Sequence, residues 1–503
     1  MKQLHALAAE GFLAPIDVEL GSLLARRAAA SLGDVADVQT VALAGALLSA
    51  ERGRGHSCLD LAAIAGQTHG GDGVGVALPD LERCRSALQR SGLCADGAEP
   101  SPLVLEGERL YLYRFHAAER RLAEAVRARV REQAGSPADV SEETTALFRA
   151  CFDVGAGKPT DWQAVAAAAA LRNRLSVITG GPGTGKTYTV ARVLALLLSR
   201  DRSLRIAVAA PTGKAAARLA EALREGAAKL PISDTIRDAI PREGQTLHRL
   251  LGYQPWADRF THGPGHPLAE DVIVVDEASM VDLLMMDAVF AASRPTARII
   301  LLGDQDQLAS VDTGYVLGDI CRAADACGAA HGAGFGAWYE RVSGQRLDEV
   351  GDAPPLRDAV VRLRRSFRFE KQPGIGALAE SIREGEAGDA LAVLASGEYP
   401  DVSRREPVRR VGDLLESVLP EIEAYFAAST PAEALEHFGA FRVLCALRDG
   451  PHGVTGLNDA IERWLRQRRS VARSQWYDRR PVLVTANDHG TGLYNGDVGV
   501  TFH

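Results

Sequence analysis

One segment, SVITGGPGTGKTYTV (Ser176 to Val190), constrains the fold more than any other part of the chain. An apolar strand leads into a glycine-rich loop of the pattern G-x-x-x-x-G-K-[ST], and a helical run follows, which is the context that this motif requires. The alternative is a plain glycine turn between strand and helix. The motif predicts a parallel α/β sheet with a phosphate loop made of Gly180, Gly181, Pro182, Gly183, Thr184, Gly185, Lys186 and Thr187.

The side chains of this loop fit a nucleotide. Glycines let backbone N–H groups close around phosphates, and Lys186 brings a positive charge to their oxygens. The Thr187 hydroxyl can bind Mg²⁺. The loop therefore predicts a nucleoside triphosphate bound with Mg²⁺.

Composition excludes several classes of protein. The net charge of −8 argues against a protein that simply coats nucleic acid, so any DNA contact must be a local positive groove. No apolar run approaches the roughly 18 to 20 residues of a membrane span, and we expect no membrane association. The seven cysteines are scattered without a C-x-x-C pair, which is typical of free thiols in a reducing cytoplasm.

The rest of the chain alternates apolar strands with helical runs. We predict one buried helix over VQTVALAGALLSAERGRG, a hairpin over Leu103 to Phe115, and a poorly structured Gly/Ala-rich connector from Ala323 to Pro355. The predicted strands are Leu175 to Thr179, Arg205 to Ala209, Val272 to Val275 and Arg298 to Leu302, with a second set near Phe441 to Ala446 and Val482 to Thr485.

Two acidic or amide motifs follow strands of the first set. In DVIVVDEASM, Asp276 can reach Mg²⁺ and Glu277 can polarise the attacking water. In IILLGDQDQLASV, the neutral amide of Gln307 can sense a γ-phosphate. The alternatives are a helix-starting acid pair and an ordinary polar loop, and the phosphate loop upstream favours the functional interpretation.

Five motifs in this order carry a family resemblance: GGPGTGKT, APTGKAAARL, TLHRLLG, VVDEASM and LGDQDQLASV. They resemble motifs I, Ia, Ib, II and III of superfamily 1 helicases, and most closely those of RecD, the alpha subunits of exodeoxyribonuclease V (RecBCD) enzymes. LRRSFRF resembles motif IV, and LCALRDGPHGVTGLNDAIE and PVLVTANDHGTGLYNGDVGV resemble parts of a second motor domain. The resemblance covers nearly the whole chain.

The resemblance implies roles for matching residues. Gln163 matches the glutamine that hydrogen-bonds the adenine edge, so the resemblance implies ATP as the nucleotide. Arg368 matches an arginine that reaches the γ-phosphate, and an exposed run of basic residues is an equally good interpretation of Arg368. An insertion with Trp256 and Phe260 resembles a duplex-splitting hairpin, or else these aromatic residues anchor a loop. The candidate DNA contacts are Thr212, Gly213, Lys214, Thr246, His248 and Asn487, with a packed side chain as the alternative for His248.

The implied fold is α/β, with two RecA-like P-loop NTPase domains, each a parallel sheet flanked by helices, after a mainly helical N-terminal domain. The expected divisions are 1–120 for partner docking, 121–155 as a helical connector, 156–365 as the first motor domain with a small insertion near 253–270, and 366–503 as the second.

The implied activity is a 5′-to-3′ DNA helicase in the bacterial cytoplasm. Single-stranded DNA and duplex ends are the expected substrates, and RecB-like and RecC-like subunits are the expected partners in double-strand-break repair. The family continues past LYNGDVGV to further motifs, so we expect an incomplete second motor domain. A stand-alone RecD-like helicase, the helicase part of a conjugative relaxase, and a non-motor scaffold remain alternatives, and a metabolic kinase is disfavoured because no small-substrate motif accompanies the loop.

Overall fold

The computed structural model describes residues 2–70, 75–131, 141–310, 312–347, 350–405, 418–468, 476–485, 491, 493 and 496–502. The chain divides into two compact units. The first comprises Met1–Pro211 and Ala215–Phe367, and the second comprises Thr212–Lys214 and Arg368–His503. The predicted domain divisions stay predictions.

The N-terminal part of the first unit is a helical layer on a small sheet. Its helices are α1 (Lys2–Ala9), α2 (Pro15–Ala28), α3 (Val35–Gly53), α4 (Leu61–Ile64) and α5 (Leu81–Arg90). Its strands are β1 (Cys58–Asp60), β2 (Thr68–Gly70), β3 (Gly75–Ala77), β4 (Cys94–Ala95), β5 (Leu103–Glu106) and β6 (Arg109–Leu112). Four of them form a sheet in the order β1-β6-β5-β4.

The buried helix is confirmed, and the hairpin is confirmed as far as Leu112, whereas Tyr113 to Phe115 begin the helix that follows. Helix α3 is capped by Asp34, whose side chain accepts from the Ala36 N–H, and its middle is buried on all sides. Gly45 lets α2 approach closely, because a Cβ there would lie 2.2 Å from Leu24 Cδ1. Strands β5 and β6 pair antiparallel as the predicted hairpin.

Two further helices, α6 (Tyr113–Arg131) and α7 (Glu142–Cys151), connect this region to the larger sheet. Helix α6 packs on α13 (Leu283–Ala292), which flanks that sheet, and an Arg121–Asp287 ion pair of 2.5 Å joins the two helices. The N-terminal region and the sheet therefore belong to one unit.

The larger sheet has six parallel strands in the order β16-β7-β13-β12-β8-β9. The strands are β7 (Leu175–Thr179), β8 (Ile206–Ala210), β9 (Gln245–Thr246), β12 (Val272–Val275), β13 (Arg298–Gly303) and β16 (Val360–Arg362). The other helices around it are α8 (Trp162–Arg172), α9 (Lys186–Arg200), α10 (Gly213–Ala228), α11 (Asp234–Ala239), α12 (Leu247–Leu250), α14 (Val316–Asp325), α15 (Ala333–Ser343) and α16 (Pro355–Ala359). Two short pairs complete the unit: antiparallel β10 (Tyr253–Gln254) with β11 (Arg259–Phe260), and parallel β14 (His331–Gly332) with β15 (Val350–Gly351).

The sheet is buried on both faces, which explains its continuous apolar strands. In β12, Val272 and Val274 point into a core shared with α8, α9 and α15, whereas Ile273 and Val275 point into a core shared with α6 and α13. All four predicted strands of this set are found, within one residue at their ends. The α/β fold class is confirmed.

The prediction of a poorly structured connector over Ala323 to Pro355 is wrong. Helix α15 lies there, and Phe335, Trp338, Tyr339 and Val342 are fully buried on one of its faces. The i, i+3, i+4, i+7 spacing of these residues is a helical stripe, which outweighs the local glycine and alanine content.

The second unit is mainly helical in its described part. Its helices are α17 (Pro373–Glu384), α18 (Ala387–Ser396), α19 (Leu419–Ala427), α20 (Pro431–Ala440) and α21 (Val454–Arg468). Strands β17 (Pro481–Leu483) and β18 (Val498–Val500) pair antiparallel.

The strand predictions for the second unit fail in part. The segment predicted as a strand near Val482 to Thr485 overlaps β17, but its described partner is antiparallel, and no parallel sheet occurs among the described residues of this unit. The strand predicted near Phe441 to Ala446 is wrong. An apolar run needs a partner for its backbone N–H and C=O groups, and Leu444 is instead 92% exposed.

Candidate nucleotide and DNA site

The phosphate loop connects the carboxyl end of β7 to the first residue of α9. Gly183 and Gly185 have φ values of +75° and +82°, which side-chain-bearing residues rarely adopt. A Cβ on Gly180 would lie 2.9 Å from the Leu363 carbonyl oxygen. Lys186 Nζ donates to the carbonyl oxygens of Gly180 (2.5 Å) and Gly181 (3.2 Å), so its charge lies over the loop.

Gln163 lies against this loop, one residue into α8. Its Nε2 donates to the Thr184 carbonyl oxygen at 3.0 Å, and its Oε1 accepts from Arg192 Nη1 at 2.8 Å. A Cβ on Gly185 would lie 2.4 Å from Nε2, so the glycine also makes room for the amide. The role of Gln163 in reading adenine stays a prediction.

Asp276 and Glu277 follow β12, which lies between β13 and β8 in the sheet. Burial raises the pKa of the Asp276 carboxyl to about 6, and the charge of Glu277 acts in the same direction, while the Glu277 N–H (2.9 Å from Oδ1) and Lys186 oppose it. Glu277 has φ +51° and ψ 39°, an uncommon left-handed backbone for a glutamate. Such strain is frequent at functional sites and must be held by the surrounding structure.

The sensor loop is tied to the strand that leads into the phosphate loop. The Gln305 N–H donates to Thr179 Oγ1 at 3.2 Å, and the Gln307 N–H donates to the Asp304 carbonyl oxygen at 3.3 Å. The Gln307 side chain is exposed. Asp306 forms an ion pair of 2.5 Å with Arg362, the last residue of β16. The candidate sensor therefore lies at the same sheet edge as the phosphate loop.

The segment after β16 also touches the phosphate loop. The Leu363 N–H donates to the Thr179 carbonyl oxygen (2.8 Å), Ser366 Oγ donates to the Pro182 carbonyl oxygen (2.8 Å), and the Phe367 N–H donates to the Gly183 carbonyl oxygen (3.0 Å). Arg368 is the next residue and belongs to the second unit, where it precedes a 3₁₀ turn. Its predicted role at the γ-phosphate stays a prediction.

The candidate DNA residues occupy strand ends and helix starts. Thr212, Gly213 and Lys214 follow β8, and α10 begins at Gly213. Thr246 caps α12, and its hydroxyl accepts from the Arg249 N–H at 3.2 Å, so the hydroxyl has a structural partner. Asn487 lies outside the described residues.

The insertion after α12 is a β-hairpin. Strands β10 and β11 pair Tyr253 with Phe260, and Trp256 lies between the strands and is 83% exposed. His248 is exposed, with its ring edge-on to Tyr253 at 5.2 Å and 6.1 Å from Phe260. The structure thus places His248 against the hairpin rather than in the core.

The described residues show neither a metal cluster nor a disulfide. They contain no group of three or more potential metal-ligating His, Cys, Asp or Glu side chains, and all seven cysteines are free thiols. No helix in the part of the chain that the structure describes is long and apolar enough to cross a bilayer.

Family models match two parts of the chain. The N-terminal domain of "RecBCD enzyme subunit RecD" matches residues 9–111, and an AAA domain matches residues 163–313. The RecBCD enzyme subunit RecD of Mycolicibacterium smegmatis is 38% identical over 496 residues, which are 97% of this chain and 79% of that protein. The chain belongs to the RecD family.

Other relatives agree with the RecD assignment. RecBCD enzyme subunit RecD of Mycobacterium tuberculosis is 39% identical over 475 residues, 92% of this chain and 73% of that protein. The ATP-dependent RecD2 DNA helicase of Deinococcus radiodurans is 29% identical over 334 residues, 65% of this chain and 36% of that protein. A solved structure titled for two coordinating Pif1 helicases on forked duplex DNA gives a TM-score of 0.28 at 18% identity, covering 65% of this chain and 67% of that chain, which is too weak to carry an argument.

In this RecD-family chain, sequence analysis missed three residues of the site. Arg192 and Arg362 contact residues far away in the chain and lie outside the quoted motifs, and Asp306 lies inside LGDQDQLASV, whose pattern assigns it no role. The sequence places Arg192 six residues after Lys186, the first residue of α9. That position, less than two helical turns from the phosphate loop, is its one sequence indication. Its partner Gln163 lies 29 residues away, so the contact is visible only in the fold.

Proposed function

We propose that this chain is an ATP-driven motor subunit of a RecBCD-type complex that moves 5′ to 3′ along single-stranded DNA. The observation that carries the proposal is that the phosphate loop, Asp276 with Glu277, and the Gln307 loop follow neighbouring strands at one sheet edge. Family membership supports the substrate and partners, since the relatives are named as RecBCD subunits and one as a DNA helicase.

The residues fit ATP and Mg²⁺. The loop backbone has the glycines in left-handed conformation that a phosphate-binding loop needs. The Lys186 ammonium donates a hydrogen bond to a carbonyl oxygen of the same loop. Mg²⁺ prefers oxygen ligands, and the Thr187 hydroxyl and Asp276 carboxylate supply that chemistry. A cation near Asp276 would also offset the cost of ionising a buried carboxyl.

Each residue has a proposed task in hydrolysis. Lys186 exchanges loop carbonyls for phosphate oxygens, and Asp276 and Thr187 hold the cation. When bound, MgATP supplies the phosphoanhydride whose hydrolysis provides the free energy for movement. Glu277 orients a water and takes its proton, Gln307 hydrogen-bonds the γ-phosphate, and Arg368 adds a second positive charge to it.

DNA binding is proposed to combine two kinds of contact. Backbone N–H groups near Thr212, Gly213 and Lys214 grip phosphates, as helix starts do in general. The exposed Trp256 and His248 offer aromatic faces to bases, with strand separation at the hairpin. Phosphate contacts of this kind make binding weaken as salt rises.

The test is DNA-stimulated ATP hydrolysis by this chain co-purified with RecB- and RecC-like partners, with the phosphate loop of the partner motor disabled. We expect strong stimulation by single-stranded DNA that disappears in Lys186→Gln. A stable complex whose hydrolysis is unchanged by DNA would contradict the motor proposal and support a scaffold subunit.

Direction requires a separate measurement in the same complex. Streptavidin is displaced from single-stranded oligonucleotides biotinylated at one end, and we expect displacement from the 3′ end, which a 5′-to-3′ motor reaches. Displacement from the 5′ end alone would contradict the proposed direction and leave the ATPase assignment standing.

A further inference from the structure

Arg192 is a charged side chain beside the phosphate loop that the proposed chemistry does not use. It lies on α9 and is half-buried. Its guanidinium carbon lies 4.3 Å from the centre of the Tyr188 ring and 4.7 Å from that of Phe152. No carboxylate among the described residues forms a salt bridge with it. Its polar partner is instead the amide oxygen of Gln163, at 2.8 Å.

This contact determines the direction of the Gln163 amide. A guanidinium has only donors, so the group facing Arg192 must be Oε1. The amino group then faces the Thr184 carbonyl oxygen, which has only acceptors, at 3.0 Å. The two contacts require the same orientation, and the Gln163 backbone N–H is held by Asp161 at 2.9 Å. The amide therefore has one orientation that satisfies both neighbours.

The held amide retains one N–H donor and one lone pair on Oε1. The edge of adenine that carries N6 and N7 presents one donor and one acceptor, which complements this pair. The same edge of guanine presents two acceptors, O6 and N7. A glutamine with its oxygen held in place therefore suits adenine and leaves two oxygens facing each other with guanine.

We propose that Arg192 is a positioning residue that sets the preference of this site for ATP over GTP by holding the Gln163 amide in one orientation. This inference rests on the proposed function, in which Gln163 faces the base. Arg192 itself acts through Gln163. Cation–π contacts with the Tyr188 and Phe152 rings hold the guanidinium, and its hydrogen bond holds the amide oxygen.

The proposal predicts a change in selectivity rather than a general loss. Without Arg192, the amide loses one of the two contacts that fix its orientation, and only the Thr184 carbonyl oxygen still favours it. We expect Arg192→Met, which keeps an unbranched apolar stem, to lower the ratio of kcat/KM for ATP to that for GTP about tenfold, the effect of one mispaired hydrogen bond. The change should lie in the KM for ATP, with kcat nearly unchanged.

The experiment measures DNA-stimulated hydrolysis of ATP and GTP in the full complex with the partner motor disabled. Arg200→Met is the matched control, since Arg200 lies on the same helix and donates to the Leu171 carbonyl oxygen instead. The ATP-to-GTP ratio does not depend on the fraction of active protein. Arg192→Lys keeps one donor without the planar stack and should give an intermediate ratio.

A double variant tests whether Arg192 acts through Gln163. If Gln163→Ala already lowers the ratio, adding Arg192→Met should change it little further, because the two residues act as one unit. An unchanged ratio in Arg192→Met, or an equal loss with ATP and GTP, would overturn the inference.

The failure of the proposed function can be distinguished from the failure of this inference. If the wild-type complex shows no DNA-stimulated hydrolysis, the motor proposal fails, and selectivity is measured by displacing fluorescent mant-ATP with ATP or GTP. An ATP preference that Arg192→Met removes in this binding assay supports the inference independently of movement. A preference equal in wild type and variant refutes it.

Discussion

Replacing Asp276 by Asn is expected to stabilise the nucleotide-free protein at neutral pH. Burial raises the pKa of this carboxyl from 3.8 to about 6. At about 1.4 kcal/mol per pH unit, keeping it ionised at pH 7 costs the folded state about 3 kcal/mol. Asparagine keeps an oxygen for the Glu277 N–H, which lies 2.9 Å away, and removes the charge. The gain in stability should accompany a loss of hydrolysis, because the cation loses its negatively charged ligand.

The pH dependence has a definite sign. Between pH 3.8 and about 6 the folded chain binds this proton more tightly than the unfolded chain does. The stabilising contribution of the neutral carboxyl is therefore fully present below pH 3.8 and is lost as the pH rises through 6. The free energies of unfolding of wild type and Asp276→Asn should converge near pH 4 and differ by up to about 3 kcal/mol at pH 7.

The assay is urea unfolding followed by tryptophan fluorescence at several pH values, since Trp162 and Trp338 lie in the first unit. Glu277→Gln is the control for the neighbouring charge, and it should recover less than Asp276→Asn, because burial is the larger cause. The reasoning is refuted if Asp276→Asn is no more stable than wild type at pH 7, or if its advantage does not change with pH.

Three further predictions concern packing, the hairpin and the sensor loop. Trp338→Ala should lower the free energy of unfolding by about 3 to 5 kcal/mol, because the side chain is fully buried. A shift of the urea midpoint equivalent to less than about 1 kcal/mol would contradict the described packing of α15. Trp256→Ala should leave the free energy of unfolding within about 0.5 kcal/mol of wild type, because the residue is 83% exposed, but should slow the unwinding of a forked duplex. An unwinding rate equal to that of wild type would contradict a role of Trp256 in strand separation. Asp306→Asn and Arg362→Gln should each lower kcat for DNA-stimulated hydrolysis, although the ion pair contributes at most about 1 kcal/mol to stability. The double variant that exchanges the two charges, Asp306→Arg with Arg362→Asp, should recover kcat, and additive losses in it would contradict the pairing.

The motor sheet was predictable because its strands are continuous apolar runs that end at loops with distinctive chemistry. The phosphate loop, Asp276–Glu277 and Gln307 each follow such a run, and parallel strands bring their carboxyl ends to one edge. Strand β16 was not predicted, because three residues, Val360 to Arg362, are too few for a periodic signal.

Other failures have different physical causes. The connector prediction counted glycines and alanines and overlooked the stripe that includes Phe335 and Trp338. The strand predicted near Phe441 depended on a hydrogen-bonding partner, which no local pattern reveals. The place of Arg192 depended on a tertiary contact with Gln163, and a single sequence carries no record of such a contact.

The order of the sheet has a consequence for synthesis of the protein. Strand β7 receives its outer neighbour, β16, only when Val360 to Arg362 leave the ribosome, roughly ten to forty seconds after Thr179 at the usual rates of translation. Until then β7 presents an open edge, which is a template for pairing with other chains. Leu363, Ser366 and Phe367, which hydrogen-bond to β7 and the phosphate loop, are likewise synthesised at the end of the first unit. A nascent chain therefore completes its nucleotide cradle late, and the open edge of β7 is an aggregation hazard until then.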